Sequence, residues 1–175
     1  MEDKELAESA CQGDEDAFFT LITRHNRRLY GIAYSYLRNE ADALDMLQEA
    51  TYRAWSQCSK LRDPAALIPW IIRILMNCCM EELKRQKRRR SQIPVLVTEG
   101  VSEMVSDSKL DMQQALSRLK PKYRQALLLR YYDDMTVPEI AKILGRSEGT
   151  IKTWLHQGLK QLRHKIHHGG EIQHG

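Results

Sequence analysis

The sequence predicts an all-α protein of two small helical domains joined by a flexible linker, and three observations lead there. Apolar residues recur at steps of three and four through most of the 175 residues, the period of one helix face. No apolar segment alternates with period two, and only 9 Gly and 5 Pro punctuate the chain. Near the middle, an aperiodic acidic stretch separates two periodic parts.

The first long helix carries Phe18, Leu21, Ile22, His25, Leu29, Ile32, Ala33 and Tyr36 as one apolar stripe, and Asn39 marks a short break after it. A second helix is expected from Glu40 to Gln57, with Ala43, Leu44, Leu47, Thr51, Ala54 and Trp55 facing inward. Lys60 to Pro64 reads as a loop in which Asp63 caps, and Pro64 opens, the next helix. That third helix buries Ile68, Ile71, Ile72, Leu75, Cys79 and Leu83, and tolerates Pro69 in its first turn before running into the basic stretch Lys84 to Arg90. Residues 91–108 lose the pattern and read as the linker. Periodicity resumes at Met112, Leu116 and Leu119, and Pro121 starts a helix bearing Ala126, Leu127 and Leu129 to Tyr132. Residues 169–175, with Gly169 and Gly170, read as a frayed tail, and the neighbouring histidines as part of that end rather than a metal site.

Charge is distributed by segment. Residues 1–55 carry 6 basic and 11 acidic side chains, residues 56–90 carry 9 and 3, residues 91–108 carry 0 and 3, and residues 109–175 carry 12 and 6. Two basic segments flanking an acidic one imply two separate contacts with a polyanion, although the net charge is only +4. The acidic opening Met1-Glu2-Asp3-Lys4-Glu5 is unlike a secretory signal, so a cytoplasmic protein is expected. The most apolar window, Ala65 to Met80, is interrupted by Pro69, Arg73 and Asn77, which argues against membrane insertion. Cys11, Cys58, Cys78 and Cys79 lack CxxC spacing, and the adjacent pair is expected to point to different sides of its helix. Reduced, mostly buried thiols are therefore expected, with no metal or other cofactor.

Three constellations carry chemistry. Near the C-terminus, Thr136 and Glu139 form a capping box, Ile140, Ala141 and Leu144 form an apolar face, Gly145 supplies a left-handed turn, and Ser147 caps a second helix. That helix buries Ile151, Leu155, Leu159 and Leu162 and turns Lys152, Thr153, His156, Gln157 and Lys160 outward. The pattern matches a DNA-reading helix-turn-helix, with base edges met by the polar row and phosphates by Arg146, Lys152 and Lys160. Trp154 is open between core and DNA surface. On the second helix, Asp45, Gln48, Glu49 and Tyr52 form a polar strip expected to lie opposite the Leu44, Leu47 and Thr51 stripe and to face solvent. On the third, Trp70, Arg73, Asn77, Met80, Lys84 and Arg88 line up an aromatic face, an amide and cations, the groups that capture unstacked bases.

Taken together, these motifs resemble the bacterial sigma-70 family of the extracytoplasmic function (ECF) type. Asp45 to Trp55 resembles the core-polymerase-binding segment, Pro69 to Asn77 with the following basic run resembles the promoter-melting helix, and Glu139 to Leu155 is similar to the minus-35-reading helix-turn-helix. The resemblance implies region 2 over residues 1–90, a linker over 91–108, region 4 over 109–168 and a tail over 169–175. It implies a non-enzymatic initiation factor in which Asp45, Gln48, Glu49, Tyr52 and Arg53 dock on the beta-prime clamp helices of core RNA polymerase, with the beta subunit also a partner. Arg62 in the loop, with Trp70, Arg73, Asn77, Lys84, Arg85 and Arg88, would engage the minus-10 element. Arg146, Ser147, Thr150, Lys152, Thr153, Trp154, His156, Gln157 and Lys160 would engage the minus-35 element. A cognate anti-sigma factor, anchored in the membrane in some members of such a family, is also implied. The sequence departs from the pattern at Trp154, where an Arg is frequent, at Gln157, where a basic residue is frequent, and at Glu81, where Asp is common. A stand-alone helix-turn-helix regulator accounts for residues 109–166 but not for the strips at Asp45 and Trp70. A metal-dependent nuclease using Asp45 and Glu49 lacks a third ligand at suitable spacing.

Overall fold

The computed structural model describes residues 1–92, 114–132 and 134–171, and among these every regular element is helical. It divides into two compact units, Met1–Arg88 and Arg89–Gly175.

The first unit opens with a helix that the periodicity left unassigned, α1 (Asp3–Cys11). Its signal was short: a Glu2/Glu5 capping box ahead of Leu6, Ala7 and Ala10, all three of them buried. Nine residues are too few to hold a helix in water, so tertiary packing maintains it. Asp3 ties it to the next helix, with Oδ1 3.1 Å from Arg24 Nη1 and Oδ2 2.7 Å from His25 Nε2. The Arg24 guanidinium also donates to the Met1 carbonyl at 2.7 Å.

Helix α2 (Glu15–Leu37) starts at Asp14, whose side chain accepts from the Ala17 amide. It buries its expected stripe from Phe18 to Tyr36, with His25 half-buried. Arg38 ends it in the left-handed conformation at φ 53°, and Asn39 caps α3 (Glu40–Gln57) by accepting from the Asp42 amide. The two helices pack through Phe18 and Trp55, ring centroids 5.1 Å apart. The core side of α3 is Ala43, Leu47, Ala50 and Ala54. Leu44, expected inside, is 48% exposed, because the small alanines draw α3 in along a line that Leu44 does not share.

Two 3-10 turns, Cys58–Lys60 and Pro64–Ala66, lead into α4 (Leu67–Gln92). Asp63 caps the second turn at the Ala65 amide, so Pro64 starts a 3-10 turn and the α-helix begins three residues later. The buried arc of α4 is Leu67, Ile71, Ile72, Leu75, Met76, Cys78, Cys79 and Glu82. Ile68 and Leu83, expected in the core, are half-buried at its margins. Cys78 and Cys79 do not point to different sides: adjacent helical residues are about 100° apart, and the arc is wide enough to take both. Burial pushes both the Cys58 and Cys78 thiols up, and all four cysteines are free. The helix includes residues 91 and 92, which composition assigned to the linker; the rest of the linker, and Met112, lie outside the described residues.

In the second unit, a helical stretch at 114–118 (α5) precedes α6 (Pro121–Leu127), which continues as a π-helical turn at Leu128–Tyr132 rather than as α-helix. The turn closes with the Met135 amide on the Leu129 carbonyl at 3.0 Å and Arg130 on the Met135 carbonyl at 2.9 Å. Helices α7 (Val137–Leu144) and α8 (Glu148–Glu171) follow. The inward positions are Ile140, Ala141 and Ile143 on α7, with Leu144 half-buried. On α8 they are Ile151, Leu155, Gly158 and Leu162, with Leu159 half-buried. Gly158 is where α6 comes closest: a Cβ there would stand 3.1 Å from Leu127 Cδ1 and 3.2 Å from Tyr123 Cβ. The helix continues through Glu171, so 169–171 belong to α8 and not to a tail. Adding a residue to an existing helix costs far less than nucleating one, and two glycines do not stop it.

Two expectations follow. In Gly158→Leu, the overpacked contact should cost about 1–3 kcal/mol, read as faster amide hydrogen exchange in α6 and α8 with α2 and α3 unchanged; unchanged exchange in α6 would mean that the helices part freely. His25 and Arg24, hydrogen-bonded to it, hold the Asp3 carboxyl below its ordinary value of 3.8. A lowered folded-state pKa stabilises above the unfolded value and is lost as pH falls through the folded one. Exchange protection of α1 should therefore drop on acidification below 3.8, and Asp3→Asn should give the same loss at neutral pH, at most about 1 kcal/mol for so exposed a pair.

Candidate nucleic-acid and polymerase interfaces

In α3 the exposed arc is set by what the core takes. With Ala43, Leu47, Ala50 and Ala54 inside, Asp45, Gln48 and Tyr52 face solvent together with Leu44. Tyr52 is 70% exposed, an unusual position for an aromatic ring. The strip is thus not opposite Leu44 but includes it, mixing a carboxylate and an amide with two apolar groups.

Glu49 and Arg53 behave differently. Glu49, expected to face solvent, is half-buried, and its Oε1 accepts from Arg53 Nε at 2.9 Å. Arg53 Nη1 also reaches Glu81 Oε2 on α4, at 3.5 Å. The Glu49 carboxylate beside it favours the charged guanidinium and pushes its pKa further up. This cross-brace uses Glu81, the residue noted only as a departure from the family pattern. A second brace lies nearer the start of α3, where Gln86 Nε2 donates to Asp42 Oδ2 at 3.0 Å and lies 3.4 Å from Oε1 of the buried Glu82. The Glu49–Arg53 and Glu82–Gln86 legs lie at the i, i+4 spacing of one helix, whereas the reach of Arg53 to Glu81 and of Gln86 to Asp42 depends on how two helices come together.

On α4, Arg73, Asn77, Lys84 and Arg88 are exposed, while Trp70 and Met80 are half-buried, so the row lies on the face opposite the core. Arg85 is exposed with Nη2 3.3 Å from Glu82 Oε2. Arg62 is exposed in the short segment between the 3-10 turns.

The helix-turn-helix is built as its residues dictate. The Thr136 amide donates to Glu139 Oε2 at 2.9 Å, and the Glu139 amide donates to Thr136 Oγ1 at 3.3 Å. Gly145 turns the chain at φ 65°, and the Arg146 amide closes the turn on the Ala141 carbonyl. Ser147 Oγ accepts from the Thr150 amide at 3.2 Å and lies 2.8 Å from the Thr150 hydroxyl. Both hydroxyls therefore serve the helix start. The Thr153 hydroxyl donates to the Gly149 carbonyl at 3.0 Å, which leaves its oxygen and methyl outward. Lys152, Thr153, His156, Gln157 and Lys160 are all exposed. Trp154, open in the sequence, is half-buried, with Lys122 Nζ 5.8 Å and Arg146 Cζ 5.9 Å from its ring centre.

Among the described residues no three His, Cys, Asp or Glu side chains gather in a metal-ligand group, and no helix is long and apolar enough to cross a membrane.

The family model Sigma-70 region 2 matches residues 21–89, and Sigma-70, region 4 matches residues 109–162. The chain is 33% identical over 147 residues to the RNA polymerase sigma factor SigV of Bacillus subtilis, covering 82% of this chain and 87% of that one. It is 31% identical over 153 residues to the ECF RNA polymerase sigma factor SigM of Mycobacterium tuberculosis, covering 86% and 78%. In fold it is similar to CnrH, solved in complex with the cytosolic domain of CnrY, with a TM-score of 0.68 and 23% identity over 92% of this chain and 94% of that one. It is also similar to the sigma factor RpoE of Bartonella quintana, solved with the anti-sigma factor NepR, with a TM-score of 0.65 and 21% identity over 85% and 96%.

The Arg53 brace has a measurable consequence. Arg53→Met should lower the unfolding free energy by about 0.5–1 kcal/mol at low salt and by less at about 1 M salt, since both pairs are partly exposed and screened. Equal urea midpoints for wild type and variant at low salt would show that the brace carries no stability.

Proposed function

Because the chain belongs to the sigma-70 family, in its ECF group, and is an RNA polymerase sigma factor, we propose how its helices share promoter recognition. Leu44, Asp45, Gln48 and Tyr52 form the docking strip for the beta-prime clamp helices of core polymerase. Glu49 and Arg53 lie at its edge and keep α3 and α4 in register beneath it. Arg62, Trp70, Arg73, Asn77, Lys84, Arg85 and Arg88 engage the minus-10 element, where the ring of Trp70 and the amide of Asn77 receive unstacked bases of one strand. Thr153, His156 and Gln157 meet base edges at the minus-35 element, with Arg146, Lys152 and Lys160 on phosphates and Ser147 and Thr150 fixing the helix start that enters the groove.

The observation that carries this reading is that α3, α4 and α8 each turn a functional row to solvent in one chain. A stand-alone helix-turn-helix regulator needs only the last of the three. The physical logic is bipartite. Neither DNA contact has to be tight, because docking on polymerase raises the effective concentration of both for one promoter. Opening follows when exposed bases are captured, since their binding to the open form alone shifts the duplex equilibrium. A net charge of +4 is small for a DNA-binding chain, in keeping with weak promoter binding in the absence of polymerase.

Catalysis belongs to the polymerase on this reading, and the factor works in the cytoplasm without inserting into the membrane. CnrH is solved in complex with the cytosolic domain of CnrY and RpoE with the anti-sigma factor NepR, and a cognate anti-sigma factor is proposed for this chain as well.

Run-off transcription with core polymerase should depend on adding this protein; no stimulation on any genomic promoter would overturn the assignment of roles. Asp45→Lys combined with Gln48→Ala should weaken core binding roughly tenfold or more with an unchanged thermal melt. Glu49→Lys should lose both core binding and stability, because it faces Arg53 with like charge.

A further inference from the structure

Trp154 lies one helical turn after Thr150 and one before Gly158, on the edge of α8 that turns toward α6. Gly158 lets α6 approach, with Tyr123 Cβ at 3.2 Å from the position of a Cβ. Lys122, the residue before Tyr123, is thereby carried over the Trp154 ring, with Nζ 5.8 Å from its centre and 5.1 Å from that of Tyr123. Arg146, from the turn between α7 and α8, comes to 5.9 Å of the same Trp154 ring. Both cations are exposed, and neither has a carboxylate partner among the described residues. A ring face attracts a cation within about 6 Å without using its hydrogens, so the donors of Lys122 and Arg146 remain available for another acceptor.

We infer that Lys122 contacts the phosphate backbone of duplex DNA, and that Trp154 holds it and Arg146 as a two-cation edge along one side of the α8 face. The inference rests on the reading of α8 as the helix that enters the groove at the minus-35 element. Trp154 is then a positioning residue, not a reader of bases. Lys152 stands on the opposite edge of the same outward row. Cations thus border Thr153, His156 and Gln157 on both sides, as two phosphate strands border a major groove about 12 Å wide. An uncharged aromatic ring at 154 also suits the site, because a third cation there would repel the other two.

The test uses the full chain in holoenzyme, with core polymerase of the source bacterium and a promoter duplex enriched from a randomised pool by the wild type. Binding is followed against salt for the wild type and for Lys122→Ala, Lys122→Arg, Trp154→Phe, Trp154→Leu and the Lys122→Ala/Trp154→Leu pair. Losing one phosphate contact should lower the slope of log K against log salt by about 0.9, so Lys122→Ala should show that drop with the order of preference among minus-35 variants unchanged. Lys122→Arg and Trp154→Phe should keep the wild-type slope. Trp154→Leu should lose at least what Lys122→Ala loses and up to twice as much, since it frees Arg146 as well, and the pair should lose little more than Trp154→Leu alone. An unchanged slope in Lys122→Ala would overturn the inference, as would a Trp154→Leu variant that alters minus-35 preference while keeping the slope. A wild-type holoenzyme indifferent to every minus-35 substitution would instead remove the reading of α8 on which the inference stands. The exposed Lys122 carries the test even if Trp154→Leu does not fold.

Discussion

Every helix that carries a contact row also carries part of a core, and both claims on its circumference must be met at 3.6 residues per turn. In units this small no helix can be given over to function alone, since each must bury enough apolar surface to offset the entropy of ordering the chain. What the core takes therefore decides what is displayed. In α3 the core takes a line of three alanines and Leu47, and this small-residue line draws the helix against its neighbours and rotates Leu44 out beside Asp45, Gln48 and Tyr52. In α4 a wide apolar arc leaves one row for Arg73, Asn77, Lys84 and Arg88. In α8 the glycine at the α6 contact does the same service, since a larger residue would hold the two helices apart.

The polar side chains at the borders of these rows hold helices together as well as facing solvent. Arg53 pairs with Glu49 on its own helix and reaches Glu81 on the next. Gln86 bridges Asp42 and Glu82. Each pair is worth little by itself at partial exposure. Their use is in register: on the proposed reading, the exposed strip of α3 and the exposed row of α4 act together only if the two helices keep a fixed relation. Trp154 plays a comparable part in the second unit, where a ring and two cations fix the edge of α8 without consuming hydrogen-bond donors.

Much of this could be read from residue order. The stripe of α2, the caps at Asn39 and Thr136, the turn at Gly145 and the outward row of α8 follow from local rules, because a cap, a left-handed glycine and a helical period each act within four residues. The failures have separate physical causes. α1 was missed because its three buried residues make too short a pattern to stand out. Leu44, Ile68 and Leu83 were placed inside because a stripe read from hydrophobicity has no way to tell its centre from its margin. The π-helical turn at Leu128–Tyr132 has the composition of ordinary helix.

By itself the sequence determined that the chain is helical, that it has two periodic parts, and which polar, cationic and aromatic residues share a helix face, since these depend on spacing and on the chemistry of side chains. Only the tertiary structure decided which of those residues are free and which are engaged. Arg53 reached across to Glu81 as a brace, and Trp154 became a seat for two cations, one of them from an earlier helix of the chain. The reason is physical: a period fixes the direction of a side chain relative to its own helix, but its partner across a contact is set by the neighbouring helix, whose approach depends on residues as small and as distant as Ala50 and Gly158.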